Sequence, residues 1–306
     1  MLLWSPWVRR TLIVLVGLAV LLAAAVATGV WLGERRMARH VELSVQPVPL
    51  PADAPAIERG RYLYTTRGCT DCHGDDGGGR TLVDNGDLKI AGPHIGNGDG
   101  SITARYQPAD WVRSIRHGVA PGGRPLLIMP SEDYNRLTDA DLGALVAYVK
   151  QLPPTKSANA GGAAVLRLPL PMRVLYGFGV VPDAATQIDH GLAPEKPVPE
   201  GATVEHGRYV AQMCKGCHGA GYGGGKVPGG PPDWPATANL TPGEGSVMGR
   251  YPDAATFIRM MKTGKRPDGT SIAVMPFGAL AKMTETDLDA TWRFLKSLPP
   301  RPAGSR

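Results

Sequence analysis

Aromatic side chains make up only 6% of this 306-residue chain, and cysteine occurs just four times. Such a chain has few large rings with which to fill a core. Its 40 glycines and 29 prolines instead commit much of it to loops. The cysteines are not spread out as a disulfide framework would spread them. They sit in two pentapeptides, Cys69-Thr-Asp-Cys72-His73 and Cys214-Lys-Gly-Cys217-His218, with none left over. Glycine runs follow both (Gly74–Gly79 and Gly219–Gly225), but neither carries the Gly-Lys-Ser/Thr of a phosphate loop. The basic surface that nucleic acid would need is also missing. The net charge is +6, yet Arg9, Arg10, Arg35, Arg36 and Arg39 against Glu34 account for most of it, and they flank one apolar run. The rest is close to neutral, with Asp53–Leu152 slightly acidic and Glu200–Arg306 slightly basic.

What is present is C-x-x-C-H, twice. Each thiol of that pentapeptide can add to a haem vinyl group while the adjacent imidazole binds the iron, which is c-type haem attachment. Two C-x-x-C pairs could also hold zinc through four thiolates. These pairs lie 145 residues apart, however, and zinc has no use for a histidine after each. A thioredoxin-like pair needs a βαβ setting and no histidine. The sequence therefore predicts two covalently bound haem c groups, one at Cys69, Cys72 and His73, the other at Cys214, Cys217 and His218.

The two motifs head matching halves. Gly60-Arg61-Tyr62 and Gly207-Arg208-Tyr209 precede them, and Arg105-Tyr106 corresponds to Arg250-Tyr251. Leu137-Thr-Asp-Ala-Asp-Leu142 matches Met283-Thr-Glu-Thr-Asp-Leu288, and Leu152-Pro153-Pro154 matches Leu298-Pro299-Pro300. A period of about 146 residues is a domain duplication, too long for a solenoid. Each half reads as three helices. The first runs from about Ile57 or Glu205 into the motif. The second covers Ala109–His117 or Ala254–Thr263 and ends at Gly118 or Gly264. The third begins at Thr138 or Thr284 with aspartate three residues on, an acidic variant of the capping box. Leu142, Leu145 and Val149, like Leu288, Trp292 and Leu295, have helical spacing, and each Pro-Pro stops the helix. Leu145 and Trp292 are expected in the cores.

Each half also places a Met-Pro before its last helix, Met129-Pro130 and Met275-Pro276. A thioether is a soft, neutral ligand that raises a haem's potential and closes its sixth position. The equivalent placement marks Met129 and Met275 as iron ligands, giving the sets His73/Met129 and His218/Met275 and no catalytic residue. Met172, Met213, Met248, Met260 and Met261 lack that pairing and are expected in packing or at the surface. His94, His117, His190 and His206 have no histidine counterpart in the other half and are expected as surface groups. Arg105, Tyr106, Arg250 and Tyr251 are candidates to meet haem propionates.

Thr11–Gly33 carries no charge and is long enough to cross a bilayer, with Trp4, Trp7 and Trp31 near its ends. A cleaved secretory signal could end among Ala23–Ala27. The apolar stretch continues to Leu32, which favours a retained anchor. Arginines flank both ends, so orientation follows from haem attachment, which takes place outside the bacterial cytoplasmic membrane. Between the halves, Pro153–Pro199 is rich in proline and alanine and reads as a linker, although Val165–Val181 is apolar enough to lie on a domain or the membrane.

These features resemble the c-type cytochrome subunits of membrane-bound bacterial dehydrogenases of the alcohol, aldehyde and nicotinate types, which repeat a class I cytochrome c domain. The resemblance rests on Cys69-Thr-Asp-Cys72-His73-Gly74, Cys214-Lys-Gly-Cys217-His218-Gly219, Asn239-Leu240-Thr241-Pro242 with Gly245, the Met-Pro pairs and the Leu-Pro-Pro stops. It covers roughly Pro55–Pro154 and Pro199–Pro300. It implies an all-α fold: an anchor (1–40), a cytochrome c domain (53–154), a linker (155–199) and a second cytochrome c domain (200–300), two tandem class I cytochrome c domains preceded by one transmembrane helix. It further implies an electron carrier of the bacterial inner membrane, single-pass and facing the periplasm, rather than an enzyme. Its partners would be dehydrogenase subunits or another respiratory donor, and an oxidase or soluble cytochrome as acceptor, with no nucleic acid. The typical subunit has three such domains where this chain has two. A dihaem cytochrome c peroxidase is the alternative, but it needs one open haem and therefore unequal halves. A haem sensor would need an output domain, and none is visible.

Overall fold

The computed structural model describes residues 5–231 and 233–306, so Trp4 lies outside the described residues. The chain begins with α1 (Pro6–Ala38), a 33-residue helix with proline in its first turn. At 1.5 Å per residue it is about 50 Å long, against roughly 30 Å for a bilayer's hydrocarbon core. Trp7 and Trp31 are exposed near its ends, as are most of the large aliphatic residues between them. Among the described residues no other helix is as long and apolar.

The first half contains α2 (Ala54–Thr66), α3 (Cys69–His73), the strands β1 (Arg80–Asp84) and β2 (Lys89–Gly92), then α4 (Pro108–His117), α5 (Ser131–Tyr134) and α6 (Asp139–Val149). Asp53 starts α2 by accepting a hydrogen bond from Ala56 N at 3.0 Å. The helix expected to run into the motif is instead broken by Gly68, whose φ of +78° is left-handed. α4 ends at Gly118, as expected, also in a left-handed conformation. α2 crosses α6 so closely that a Cβ on Gly60 would lie 2.0 Å from the carbonyl oxygen of Ala144. Leu63, Tyr64, Trp111, Leu142, Leu145 and Val146 fill the core around that crossing.

The chain is helix-rich, but it is not all-α. β1 and β2 form an antiparallel hairpin with Arg80 opposite Gly92 and Asp84 opposite Lys89. Thr81, Leu82 and Val83 suit an extended backbone, and Asn85 closes the turn by accepting from Leu88 N. The equivalent stretch of the second half, Lys226–Ala236, holds four prolines and forms no strand among its described residues. The third strand, β3 (Val165–Arg167), comes from the expected linker and pairs Arg167 with Lys89.

The linker is therefore no loose tether. Before β3, Thr155 N donates to Asn97 O (2.9 Å) and Ala158 N to Gly78 O (2.9 Å). After it, α7 (Leu170–Gly177) packs on α1, and α8 (Ala184–Gln187) is capped by Asp183. The buried Asp183 carboxylate accepts from Arg39 Nη1 (2.8 Å) and Nη2 (2.6 Å) and from the Tyr176 hydroxyl (2.8 Å). Burial works to raise this carboxyl, but the bonds from Arg39 and Tyr176 outweigh it and hold it below its ordinary value.

The second half repeats the helical frame. α9 (Val204–Val210) passes through a 3-10 turn into α10 (Lys215–His218), followed by α11 (Ala254–Thr263), α12 (Phe277–Leu280) and α13 (Glu285–Ser297). Gly264 ends α11 with φ +69°, and a Cβ on Gly207 would lie 1.9 Å from Ala290 O. Val210, Met248, Phe257, Leu288 and Leu295 are buried here. Trp292 is half-buried against them and donates to Tyr251 O at 3.0 Å. Met260 and Met261 are buried in packing, while Met172 and Met213 are half-buried.

The halves meet at the starts of α6 and α13. Thr138 and Thr284 cap these helices as expected, accepting from Asp141 N and Asp287 N. The aspartates do not complete a capping box. The Thr138 N–H donates instead to the Tyr209 hydroxyl (3.3 Å) and the Thr284 N–H to the Tyr62 hydroxyl (3.1 Å). Those hydroxyls donate in turn to Asp141 (2.6 Å) and Asp287 (2.7 Å). Each half thus completes the other's helix cap.

Candidate haem-binding sites

His73 ends α3 and His218 ends α10. Nδ1 of His73 lies 2.9 Å from the carbonyl oxygen of Pro93, and Nδ1 of His218 lies 2.8 Å from that of Ala238, in each case 20 residues further along. A ring that donates through Nδ1 keeps the Nε2 lone pair free for a metal, and the carbonyl fixes the ring's orientation. Burial pushes both imidazoles below their ordinary values, against the opposing pull of the carbonyls. The neutral form is the one that ligates.

All four cysteines are unpaired thiols. Burial pushes Cys69 and Cys214 up to about 12, and it raises Cys72 and Cys217 as well. Such surroundings oppose a thiolate and suit an uncharged sulfur, as in a thioether. Among the described residues no three His, Cys, Asp or Glu side chains form a metal cluster, so the four-thiolate zinc geometry is not there.

Met129 and Met275 are half-buried. Met129 packs against the same apolar cluster as Cys69, and Met275 against the same cluster as Cys214. Both Met-Pro turns have one conformation. Pro130 has φ −79° and ψ 62°, and Pro276 has φ −77° and ψ 63°. Ser131 N donates to Met129 O (2.8 Å) and Phe277 N to Met275 O (2.9 Å), which makes each an inverse γ-turn. Neutral sulfurs, an oriented imidazole and a methionine on one apolar cluster are a donor set that fits a haem c in each half.

Tyr106 and Tyr251 pack edge-on against Trp111 and Phe257, while Arg105 and Arg250 are exposed. The histidines expected at the surface are not there. His94, His117 and His206 are buried and His190 is half-buried. His94 satisfies both ring nitrogens with Ser157 Oγ and Asn97 O, His206 Nε2 meets Asp287 at 2.7 Å, and the His117 and His190 rings lie together. Internal polar partners offset their burial, although His206 Nδ1 is left without one.

Sequence reasoning missed how the two motifs meet. Arg67, two residues before Cys69, places Nη1 3.0 Å from the sulfur of Met213, the residue before Cys214. Asp133, just past the Met129 turn, accepts from Gly216 N inside the second motif at 2.8 Å. Burial, with Glu132 beside it, pushes Asp133 up to about 8 despite that bond.

The C-x-x-C-H motif with its oriented histidine is the arrangement that c-type haem attachment needs, and residues 55–149 match the family described as cytochrome c oxidase, cbb3-type, subunit III. The chain is similar to the cytochrome subunit of fructose dehydrogenase from Gluconobacter japonicus, 26% identical over 292 residues, covering 84% of this chain and 55% of that protein. It is likewise 26% identical, over 289 residues, to the cytochrome c subunit of the quinone alcohol dehydrogenase of Gluconobacter oxydans (83% and 57% covered). The cytochrome c subunit of gluconate 2-dehydrogenase from Pantoea cypripedii is 28% identical over 184 residues (55% and 38% covered). The chain spans a little over half the length of the first two relatives. It carries a cytochrome c domain and resembles cytochrome c subunits of dehydrogenases, proteins of electron transport.

Proposed function

We propose that the chain is a dihaem electron carrier, anchored by α1 in the bacterial inner membrane with its two haem domains in the periplasm. It takes single electrons from a dehydrogenase partner and passes them to an oxidase or soluble cytochrome. The observation that supports this reading is the repeat of an imidazole oriented by a carbonyl twenty residues on and of a Met-Pro turn on the first cysteine's apolar cluster, with His73/Met129 and His218/Met275 as the proposed ligand sets. A haem c at each motif supplies a one-electron iron couple. The protein's part is to orient both imidazoles through Pro93 O and Ala238 O, to keep the cysteine sulfurs in dry surroundings and to present a thioether from a rigid turn. Two equivalent Met-Pro turns argue against the unequal, open site that a dihaem peroxidase needs.

Met129→Ala and Met275→Ala test the reading. Each variant is expected to keep its covalent haem, to lose the low-spin His/Met spectrum at one centre and to lower that centre's potential. An unchanged spectrum in either would remove that methionine from the ligand set. Peroxide turnover by the unsubstituted protein, with a high-spin haem, would favour the enzyme instead.

A further inference from the structure

After β3 the chain returns to the end of α1, and the contact it makes there is glycine against glycine. A Cβ on Gly177 would lie 1.9 Å from Gly29 O, and one on Gly33 would lie 2.8 Å from Arg173 O. Gly29-x-x-x-Gly33 is the small-residue spacing that lets two helices touch backbone to backbone in an apolar medium. α7 and α1 also share one gradient of polarity. Arg173 lies beside Gly33 and pairs with Glu34 at 2.8 Å. Val174 and Phe178 lie against Gly29, one turn closer to the middle of the apolar run. At that level Trp31 is exposed on α1, with the Arg35 guanidinium over its ring.

α7 and the turn after it expose large apolar side chains, Phe178 even with its ring edge against Gly29. Leu170 is 51% exposed, Leu175 41%, Phe178 51% and Val180 60%. Tyr176 and Gly177, on the other side, are buried. Four large apolar side chains within eleven residues form a patch of the kind that marks a contact surface, and it lies beside α1, whose exposed apolar side chains run from Trp7 to Leu22 with Trp31 further on.

We infer that α7 and the turn after it, Leu170–Val181, are a second membrane contact: a short wedge seated at the headgroup–acyl boundary beside α1, with Leu175, Phe178 and Val180 in lipid. The inference rests on the reading of α1 as a bilayer anchor. Its consequence is a fixed posture for the domains. Asp183 clamps the end of the wedge to Arg39, and α8 packs on the first half at Gly118, next to the Met129 turn. The first haem domain is thereby held at one orientation to the membrane and does not swing on a tether.

Spin labels on Leu175→Cys, Phe178→Cys and Val180→Cys, made singly in the full-length haem-loaded protein in phospholipid nanodiscs, test this. Leu18→Cys on α1 serves as the lipid reference and Asp268→Cys, on an exposed turn, as the aqueous one. Collision with dissolved oxygen, which partitions into lipid, is compared with collision with a water-soluble nickel chelate. The expected result is a severalfold excess of oxygen over nickel at the three wedge sites, of the same sign as at Leu18. Nickel access equal to that at Asp268, with Leu18 still in lipid, overturns the wedge and leaves the anchor standing. Shielding of the wedge sites from both reagents means that a second copy of the chain covers them, which also overturns it. Nickel access at Leu18 overturns the anchor reading and the wedge with it.

Discussion

The Tyr62 hydroxyl, in the first half of the chain, donates to Asp287 in the second at 2.7 Å, and it accepts from the N–H of Thr284, the cap of α13. Tyr209 does the same for Asp141 and Thr138 in the opposite direction. Two tyrosines from duplicated Gly-Arg-Tyr segments therefore bind the halves through one reciprocal pattern. The surrounding groups differ: Arg59 completes the bonding of Asp141, and His206 that of Asp287.

Tyr62→Phe removes one donor to a buried carboxylate and leaves a helix-cap N–H without its acceptor. A hydrogen bond to a charged group is worth about 1.5–3 kcal/mol, so a loss of that order is expected. The urea midpoint measures it. Tyr209→Phe is expected to cost a similar amount, and a Tyr62→Phe/Tyr209→Phe double variant tests whether the two bonds act as one interface. If both single variants unfold at the unsubstituted midpoint, the interface does not contribute to stability.

Gly60→Ala and Gly207→Ala each force a Cβ to within about 2 Å of a facing carbonyl oxygen. The helices must separate, and overpacking of this kind costs about 1–3 kcal/mol or more. Thermal unfolding followed by circular dichroism should show a clear drop in midpoint for each, whereas an alanine at the exposed Gly122, where a Cβ meets no neighbour, should change little.

Asp183 gives a pH dependence with a definite sign. Its folded pKa lies below the ordinary carboxylate value, so the folded state holds fewer protons than the unfolded state in that range. The stability it contributes is present above its unfolded pKa, near pH 4, and is lost as the pH falls through the folded value. The stability gap between the unsubstituted protein and Asp183→Asn is therefore expected to be widest near neutrality and to shrink in acid. Hydrogen exchange at the amides of residues 183–188, measured between pH 3 and pH 7, reads it. A gap independent of pH would contradict the Arg39–Asp183 clamp.

The proposed haem attachment is legible in the sequence because it is written in consecutive residues. C-x-x-C-H needs only five positions, and duplication added the Met-Pro pairs and the closing helices in matching places. What failed to read were partnerships across the chain. Asp141 and Asp287 look like local capping acids, yet each also takes a tyrosine hydroxyl from the opposite half. His94 and His206 look like surface groups because their side-chain partners, Ser157 Oγ and Asp287 Oδ1, are distant in sequence. The third strand hid in a proline-rich linker, since Val165–Arg167 is too short to declare itself without β2 beside it. Burial is a property of the folded halves together, and one-dimensional spacing does not carry it.

The proposed carrier binds two haem c groups, one at each motif. Intact-mass spectrometry of the full-length protein, matched iron analysis and a haem spectrum count them. The prediction is a covalent mass gain of two haems and two irons per chain. It should fall to one haem in Cys69→Ala/Cys72→Ala and to one in Cys214→Ala/Cys217→Ala. A single haem in the unsubstituted chain, or bound zinc in place of haem iron, would contradict it.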